Sequence, residues 1–163
     1  MEVVLLGRVR SLGLRLPRTL LDEASEAMAR FGIDALAGRA LNAVSGVQRQ
    51  LIFLAQALFS QPQVLLLDEP SAALDLRQQM LVLKAVNETA RKHPVIIAIA
   101  MHDLSLAAQF ADNFILLRGK HVEATGPATT VLVPERLAAA FGVQTEVLYG
   151  HDGKPRVMPV RAL

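Results

Sequence analysis

The stretch Val64-Leu65-Leu66-Leu67-Asp68-Glu69-Pro70 decides the fold. Its four consecutive apolar residues predict a strand that is buried on both faces, as in a parallel sheet. The run is too short for a helix, and Pro62 and Pro70 stand on either side of it. In an open α/β sheet, ligands bind just beyond the carboxyl ends of the strands. We therefore expect Asp68 and Glu69 to lie where a ligand would bind.

The composition limits the class of protein. A chain of 163 residues is long enough for one domain, which would bury roughly two-thirds of its unfolded surface. No apolar run approaches the ~20 residues needed to span a bilayer, and no export leader is visible. The absence of cysteine excludes disulfides and thiolate metal sites, which is compatible with a cytoplasmic protein.

The charge pattern does not indicate a nucleic-acid-binding protein. The formal net charge is only +2, and the high pI of about 9.4 arises because few groups titrate between pH 7 and 9. One local basic cluster comprises Arg8, Arg10, Arg15 and Arg18. It is either a contact for anionic lipid or a partner, or a solvated basic face.

The order of the predicted elements indicates an α/β fold. Residues 1–44 show helical patterns and no strand, and a helix beginning at Ser45-Gly46 precedes the opening strand. A helix to about Lys92, a strand over residues 95–100, a short helix that Asp103 can cap and a strand over residues 114–117 follow. This alternation predicts a mostly parallel sheet with right-handed crossovers and flanking helices. The apolar stripe predicted for the helix that ends near Lys92 consists of Leu76, Met80, Leu83, Val86 and Ala90.

The remainder of the chain has a different pattern. A turn at Gly119 predicts an antiparallel strand after the third strand, and Pro134 opens a helix that Gly142 closes. Residues 143–149 and 156–160 then predict a hairpin. We expect three segments: a helical subdomain (1–44), an ATPase-like core (45–125, on the family resemblance given below) and a C-terminal helix with a hairpin (126–163).

Two features near the opening strand could carry chemistry. Ser45 is a good N-cap and Gly46 allows close approach, so this helix end is either a phosphate site or an ordinary capped helix. Asp68 could hold a hydrated Mg²⁺ and Glu69 could orient and deprotonate a water molecule. The alternative for these two residues is ordinary polarity at a strand end.

Two further polar residues are ambiguous when taken singly. His102 follows a strand end, so it lies on the same rim as Asp68 or serves as a loop or capping residue. Asp75 taken alone is a helix N-cap.

The order and spacing of these features resemble the nucleotide-binding subunit of ABC transporters. Val44 to Gln48 is similar to the family's signature sequence Leu-Ser-Gly-Gly-Gln, and Val64 to Glu69 is similar to its Walker B strand. Ser71 to Asp75 resembles the D-loop, and His102 resembles the switch histidine. Four motifs in order make the resemblance specific, and it extends over essentially the whole chain.

A subgroup is also indicated. The stretches Val3 to Arg8 and Val131 to Val143 are most similar to the ATPases of metal-chelate importers, which carry siderophores, haem or cobalamin. The resemblance implies a P-loop-NTPase-like fold that binds ATP and Mg²⁺. It implies that Asp68 holds Mg²⁺, that Glu69 is the general base for the attacking water, and that His102 contacts the γ-phosphate.

The resemblance also implies protein partners. Ser45, Gly46 and Gln48 would contact the nucleotide of the opposite subunit in a head-to-tail dimer, and Asp75 would lie at the subunit interface. Residues 1–44 would contact an integral membrane permease, which would hold the protein on the cytoplasmic face of the cell membrane. No nucleic-acid partner is implied.

The chain departs from the family pattern in one decisive way. The family's phosphate loop, G-x-x-x-x-G-K-[ST], does not occur in these 163 residues, so the chain resembles the C-terminal two-thirds of such a domain and lacks the P-loop strand. Val47 also replaces the second glycine of the signature. We expect negligible ATP hydrolysis by the chain alone, because the protein's contribution to phosphoryl transfer is mainly positioning and charge stabilisation.

Three hypotheses remain open at this stage. The first is a fragment of an importer ATPase. The second is a non-catalytic subunit that lends its signature helix to a complete partner ATPase. The third is an ATPase lobe of a DNA-repair or chromosome protein. The third is disfavoured because those proteins carry long coiled coils before the signature, and residues 1–44 contain no sustained heptads.

Overall fold

The protein is described here by a computed structural model that covers residues 1–11 and 16–163, with the backbone alone for residues 9–11. The chain divides into two compact units, Met1–Ala100 and Met101–Leu163. The predicted division into three functional segments stays a prediction.

The first unit begins with helices, as predicted for residues 1–44. Helix α1 (Glu2–Leu5) continues into a 3₁₀ segment (Leu6–Ser11), and helix α2 spans Arg18–Arg30. Gly32 adopts φ +66° after α2, and its amide donates to the Ala29 carbonyl at 2.9 Å. This left-handed residue ends the helix. The buried positions of α2 are Leu20, Ala24 and Met28.

Arg8 is a structural residue of this unit. Its Nε donates to the Phe59 carbonyl at 2.7 Å, its Nη1 lies 2.6 Å from a carboxylate oxygen of Glu23, and its guanidinium stacks 4.3 Å from the centre of the Phe59 ring. Arg8 is therefore not part of a freely solvated basic face. Arg15 and the side chain of Arg10 lie outside the described residues.

Helix α3 (Gly46–Phe59) forms the centre of the first unit. Two 3₁₀ turns, Asp34–Leu36 and Leu41–Ala43, precede it. A Cβ added to Gly7 would lie 2.5 Å from the Gln56 carbonyl oxygen, so the N-terminal segment packs on α3 at a distance that only glycine allows. The buried residues of α3 are Leu51, Ile52, Leu54, Ala55, Leu58 and Phe59.

Two parallel strands lie against these helices. Strand β1 (Val64–Asp68) pairs in parallel with β2 (Ile96–Ala100), and helix α4 (Leu76–Lys92) connects them. One face of the pair packs against the helical core through Leu65, Leu67, Ile97 and Ile99. The strand–helix–strand unit predicted from the opening stretch is therefore present.

The other face of the same strand pair is open. Val64, Leu66 and Ile96 are 56%, 75% and 71% exposed. The prediction that the opening strand is buried on both faces is thus wrong for this chain, because no element in residues 1–11 and 16–163 covers that face. The four apolar residues would suit a strand that is covered on both faces, but only one face of β1 is covered here.

The buried stripe of α4 also differs from the prediction. Leu83 and Val86 are buried as predicted, but Leu76, Met80 and Ala90 are exposed. The buried residues of α4 cluster instead in its second half, at Val82, Leu83, Ala85, Val86 and Thr89.

The second unit begins with helix α5 (Leu104–Phe110) and an antiparallel hairpin. Strands β3 (Phe114–Arg118) and β4 (His121–Gly126) form this hairpin around Gly119, which has φ +59°. The antiparallel addition is therefore confirmed. Among the described residues, β3 pairs with β4. The parallel ladder therefore has two strands, β1 and β2, and not the three that were predicted.

Short helices and a second hairpin complete this unit. Helices α6 (Ala128–Val131) and α7 (Pro134–Phe141) precede strands β5 (Val143–Tyr149) and β6 (Pro155–Ala162), which pair antiparallel as predicted. The core of the unit contains Ala108, Leu116, Val131, Leu132 and Leu137.

Helix α5 is fastened to β6 by polar contacts. The Ser105 hydroxyl accepts from the Val157 amide at 2.9 Å and donates to the Val157 carbonyl at 3.2 Å. The Lys154 ammonium donates to the Gln109 carbonyl near the end of α5. Within the described ranges, none of the helices is long and apolar enough to cross a membrane.

Candidate functional site

The N-terminus of α3 is capped and exposed. Ser45 Oγ accepts from the Gln48 amide at 3.2 Å, and Gln48 Oε1 accepts from the Ser45 amide at 3.0 Å. This reciprocal capping box confirms Ser45 as the N-cap. The side chains of Ser45 and Gln48 are both predicted to contact a nucleotide. In this structure each of them accepts a hydrogen bond from the other residue's backbone amide.

The same helix end is accessible to an anion. Gly46 is exposed, and a Cβ added there would meet no atom within 4 Å. The amides of the first helical turn point outward and the helix dipole favours negative charge at this end. Val44, just before the cap, is 8% exposed and packs into the core, so the helix end is firmly held. These properties fit a phosphate group.

Asp68 and Glu69 lie at the carboxyl end of β1, as predicted. Asp68 is the last residue of the strand and is exposed, and side-chain alternation puts it on the open face with Leu66. Glu69 is also exposed, and its amide extends the ladder by donating to the Ala100 carbonyl at 3.0 Å. Its backbone has φ +43°, which is rare for a residue other than glycine.

The residues fit Mg²⁺ only as a shared ligand set. No group of three or more histidine or acidic side chains in the described part of the chain could form a metal cage. Mg²⁺ is commonly held by one or two carboxylates together with water and substrate phosphates. The exposed Asp68 carboxylate suits that arrangement.

A turn held by two glutamines follows the carboxylates. Gln50 Nε2 donates to the Pro70 carbonyl at 3.0 Å, and Gln79 Nε2 donates to the Ser71 carbonyl at 3.2 Å. Pro70 and Ser71 are buried. The sequence analysis missed both glutamines. The available signal was a pair of polar residues at half-buried helical positions facing a strand end.

An open cleft of about 430 Å³ lies between α3 and β1. Phe53 and Leu54 of α3 and Leu66 of β1 give it apolar walls, while Gly46 and Asp68 line it as well. The structure thus brings the capped helix end and the first carboxylate to one concave surface.

The remaining predicted residues cap helices or lie in the second unit. Asp75 Oδ1 accepts from the Gln78 amide at 2.8 Å and so caps α4. His102 is exposed and belongs to the second unit, two residues after the end of β2. The following residue, Asp103, caps α5 by accepting from the Leu106 amide at 2.8 Å, as predicted.

Comparison with known proteins supports the motifs. Residues 8–72 match the family model described as ABC transporter. The haemin import ATP-binding protein HmuV of Streptomyces coelicolor is 40% identical over 164 residues, covering 99% of this chain and 58% of the relative. The cobalamin import ATP-binding protein BtuD of Halobacterium salinarum is 38% identical over 121 residues, covering 74% of this chain and 30% of the relative. The chain thus spans little more than half of the first relative's length and about a third of the second's.

Solved structures give the same result for the fold. A metal-chelate type ABC transporter in an inward-facing conformation superposes with a TM-score of 0.79 and 26% identity, covering 98% of this chain and 65% of that one. The dimeric ABC transporter cassette MJ0796 superposes with a TM-score of 0.65 at 22% identity, covering 78% of this chain and 55% of that one. The α/β, P-loop-NTPase-type fold predicted from the sequence is thereby confirmed.

Proposed function

We propose that this chain, which matches the ABC transporter family model over residues 8–72, forms part of an ATP-hydrolysing site that drives an importer of haem, cobalamin or an iron–siderophore complex. The observation that carries the proposal is the cleft lined by both Asp68, at the end of a parallel strand, and Gly46, at the capped N-terminus of α3. The haemin and cobalamin import relatives support the class of cargo.

The proposed catalytic roles follow from the chemistry of each side chain. Asp68 would hold Mg²⁺, which, when bound, would neutralise charge on the phosphates. Glu69 would orient the attacking water and accept its proton. His102 would contact the γ-phosphate. The exposure of all three side chains supports these roles, because each would have to reach a ligand outside the chain.

The proposed partners are a second nucleotide-binding subunit and a membrane permease. Ser45, Gly46 and Gln48 would contact the nucleotide bound by the opposite subunit in a head-to-tail dimer, and Asp75 would lie at the interface. This requires the Ser45–Gln48 capping box to rearrange so that its side chains face a phosphate. Residues 1–44 would contact the permease on the cytoplasmic face of the membrane, with the cargo chosen by the permease and its binding protein.

A further polypeptide segment would supply the phosphate loop and cover the open strand face. The sequence of the chain contains no G-x-x-x-x-G-K-[ST] motif. Strands of parallel sheets are normally covered on both faces, and the exposed Val64, Leu66 and Ile96 side chains support such a cover here. We expect the isolated chain to self-associate through these open strands. A cleanly monomeric chain that unfolds cooperatively would contradict this expectation.

A chimera tests the proposal. The part of the Streptomyces coelicolor relative that this chain does not match is joined before residue 1, and ATP hydrolysis is measured with and without Mg²⁺. We expect Mg²⁺-dependent turnover that falls at least about 100-fold in Glu69→Gln, the usual scale for loss of a general base. The exposed Glu135→Gln serves as the matched control and should leave turnover unchanged. A folded chimera that binds ATP but does not hydrolyse it would contradict the proposed function.

A second candidate is a non-catalytic subunit that lends its signature helix to a complete ATPase. The N-terminus of α3 favours this candidate. Ser45 caps the helix, Gly46 is exposed and Val44 packs into the core, so this end forms without a phosphate loop in the same chain. The chain would then co-purify with a full-length partner and stimulate its ATPase. Ser45→Arg should abolish that stimulation by filling the space before the helix. Unchanged stimulation by Ser45→Arg would count against this candidate.

A further inference from the structure

The turn after the two carboxylates is fixed from two sides by side chains that the family motifs quoted above do not include. Gln50 projects from α3 and donates to the Pro70 carbonyl at 3.0 Å, and Gln79 projects from α4 and donates to the Ser71 carbonyl at 3.2 Å. Two consecutive carbonyl groups are therefore held by two different helices. We propose that Gln50 and Gln79 are positioning residues that set the orientation of Glu69.

The backbone of Glu69 explains why such support is needed. With φ +43°, Glu69 has a left-handed conformation that a side chain with a Cβ disfavours. Residues in such regions persist only where the surrounding structure holds them in place. The Glu69 amide donates to the Ala100 carbonyl at 3.0 Å and the Glu69 carbonyl accepts from the Ala72 amide at 3.2 Å. The next carbonyl along the chain, that of Pro70, accepts from Gln50.

The two hydrogen bonds differ in importance, because the Ser71 carbonyl also accepts from the Leu74 amide at 3.2 Å, whereas the Pro70 carbonyl accepts from Gln50. Pro70 has no amide hydrogen, so its carbonyl is its only strong backbone hydrogen-bonding group. Pro70 is buried, and its carbonyl, if left unpaired, would carry the full desolvation penalty. Loss of the Gln50 amide would therefore turn the Pro70 peptide toward another donor, and Glu69 would turn with it.

Gln50 also connects two parts of the proposed site. It lies five residues after Ser45 on the same helix, about 7.5 Å along the axis. A displacement of the signature end of α3 would thus be transmitted to the turn that carries Glu69. This inference rests on the proposed function only in taking Glu69 as the general base.

The first test uses the full 163-residue chain and nuclear magnetic resonance. Gln50→Met keeps the length of the side chain and removes the donor. We expect the amide–Hα coupling of Glu69, which reports φ, to move toward the extended value. Exchange of the Ala72 amide, which donates to the Glu69 carbonyl at 3.2 Å, should rise about tenfold. Gln79→Met should do the same to a smaller extent.

A matched control and a rescue separate positioning from general stability. Gln78→Met changes the neighbouring glutamine of α4, whose side chain the turn does not use, and should leave the coupling and the Ala72 exchange unchanged. Gln50→Lys restores an N–H donor at similar reach and should recover part of the native coupling. Should Gln50→Met fail to fold, Gln50→Lys and Gln79→Met still test the proposal.

The second test measures turnover in the chimera described above. We expect kcat to fall about 10- to 100-fold in Gln50→Met with KM for ATP unchanged within about twofold, because small displacements of a catalytic group reduce the rate on that scale. An unchanged Glu69 coupling, or exchange that rises evenly over all core amides, would overturn the proposal. An inactive native chimera would refute the proposed function instead, and the resonance measurement would then decide the positioning role alone.

Discussion

The two faces of the β1–β2 pair are built from the same kinds of residue but have opposite surroundings. Leu65, Leu67 and Ile99 pack against the helical core, whereas Leu66 and Ile96 are exposed. Asp68 lies on the exposed face, beside the cleft that also contains the N-terminus of α3. Asp68, the proposed Mg²⁺ ligand, thus lies on the side of the strand pair that the described residues leave uncovered.

The packed face is complete within this chain, whereas the exposed face lacks a covering element among the described residues. The packed face makes the first unit a folded body with a capped signature helix. The open face, with Leu66 and Ile96 exposed, is what the proposal of a further covering segment is based on.

A matched pair of substitutions tests the two faces directly. Leu65→Asp would place a charge against the core and should lower the free energy of unfolding by about 3 kcal/mol, the usual scale for an uncompensated buried charge. Leu66→Asp, one residue on, should change it by less than about 0.5 kcal/mol and should increase solubility. Urea unfolding and light scattering measure both quantities. Equal destabilisation by the two changes would contradict the assignment of faces.

The contact of Gly7 with α3 tests how far the packed side extends. Gly7→Ala puts a methyl group against the Gln56 carbonyl, and we expect a loss of about 1–3 kcal/mol. Gly38, where an added Cβ would meet no atom within 4 Å, is the control, and Gly38→Ala should be neutral or slightly stabilising. Thermal unfolding of both variants distinguishes these outcomes. A neutral Gly7→Ala would show that the N-terminal segment does not pack on α3 in solution.

The capping box of α3 tests the accessible end of the packed region. Ser45→Ala removes the side chain that accepts from the Gln48 amide, and it should cost about 1 kcal/mol. Ser60→Ala, at the opposite end of α3, removes a hydroxyl that donates to the Ala57 carbonyl at an exposed site. Its effect should be a few tenths of a kcal/mol. If urea midpoints of the two variants shift equally, the cap does not stabilise the helix as described.

The smallest effect is expected in the second unit, far from the open face in sequence. A backbone hydrogen bond from Lys154, together with Arg156, lowers the pKa of Asp152 below its ordinary value of 3.8. Its stabilising contribution is therefore complete above that value and is lost as pH falls through the lower folded pKa. The difference in unfolding midpoint between the native chain and Asp152→Asn should vanish in that acidic range. A difference that persists there, or a normal pKa by carbon resonance, would contradict this assignment.

The sequence predicted the local structure around the site well. Ser45, Asp75 and Asp103 were expected to cap helices and do so, because N-capping depends on residues within one turn. Asp68 and Glu69 were expected at a strand end, and the length of the apolar run was enough to place them there.

The sequence could not predict features that depend on distant contacts. The sequence of an apolar strand does not show whether its second face is covered by another element. The exposure of Leu66 was therefore not predicted. The exposure of Leu76, Met80 and Ala90 in α4 was also missed, because the apolar periodicity of one helix does not show which of its residues meet another element. The link from Gln50 to Pro70 joins residues twenty positions apart, and periodicity within one element cannot reveal it.

ATP hydrolysis by the native chain, alone and joined to the segment with the phosphate loop, tests the central claim most directly. We expect no turnover above background from the 163-residue chain, and Mg²⁺-dependent turnover from the joined protein that Glu69→Gln abolishes. Steady hydrolysis by the chain alone, abolished by Glu69→Gln, would contradict the claim that this chain carries only part of the site.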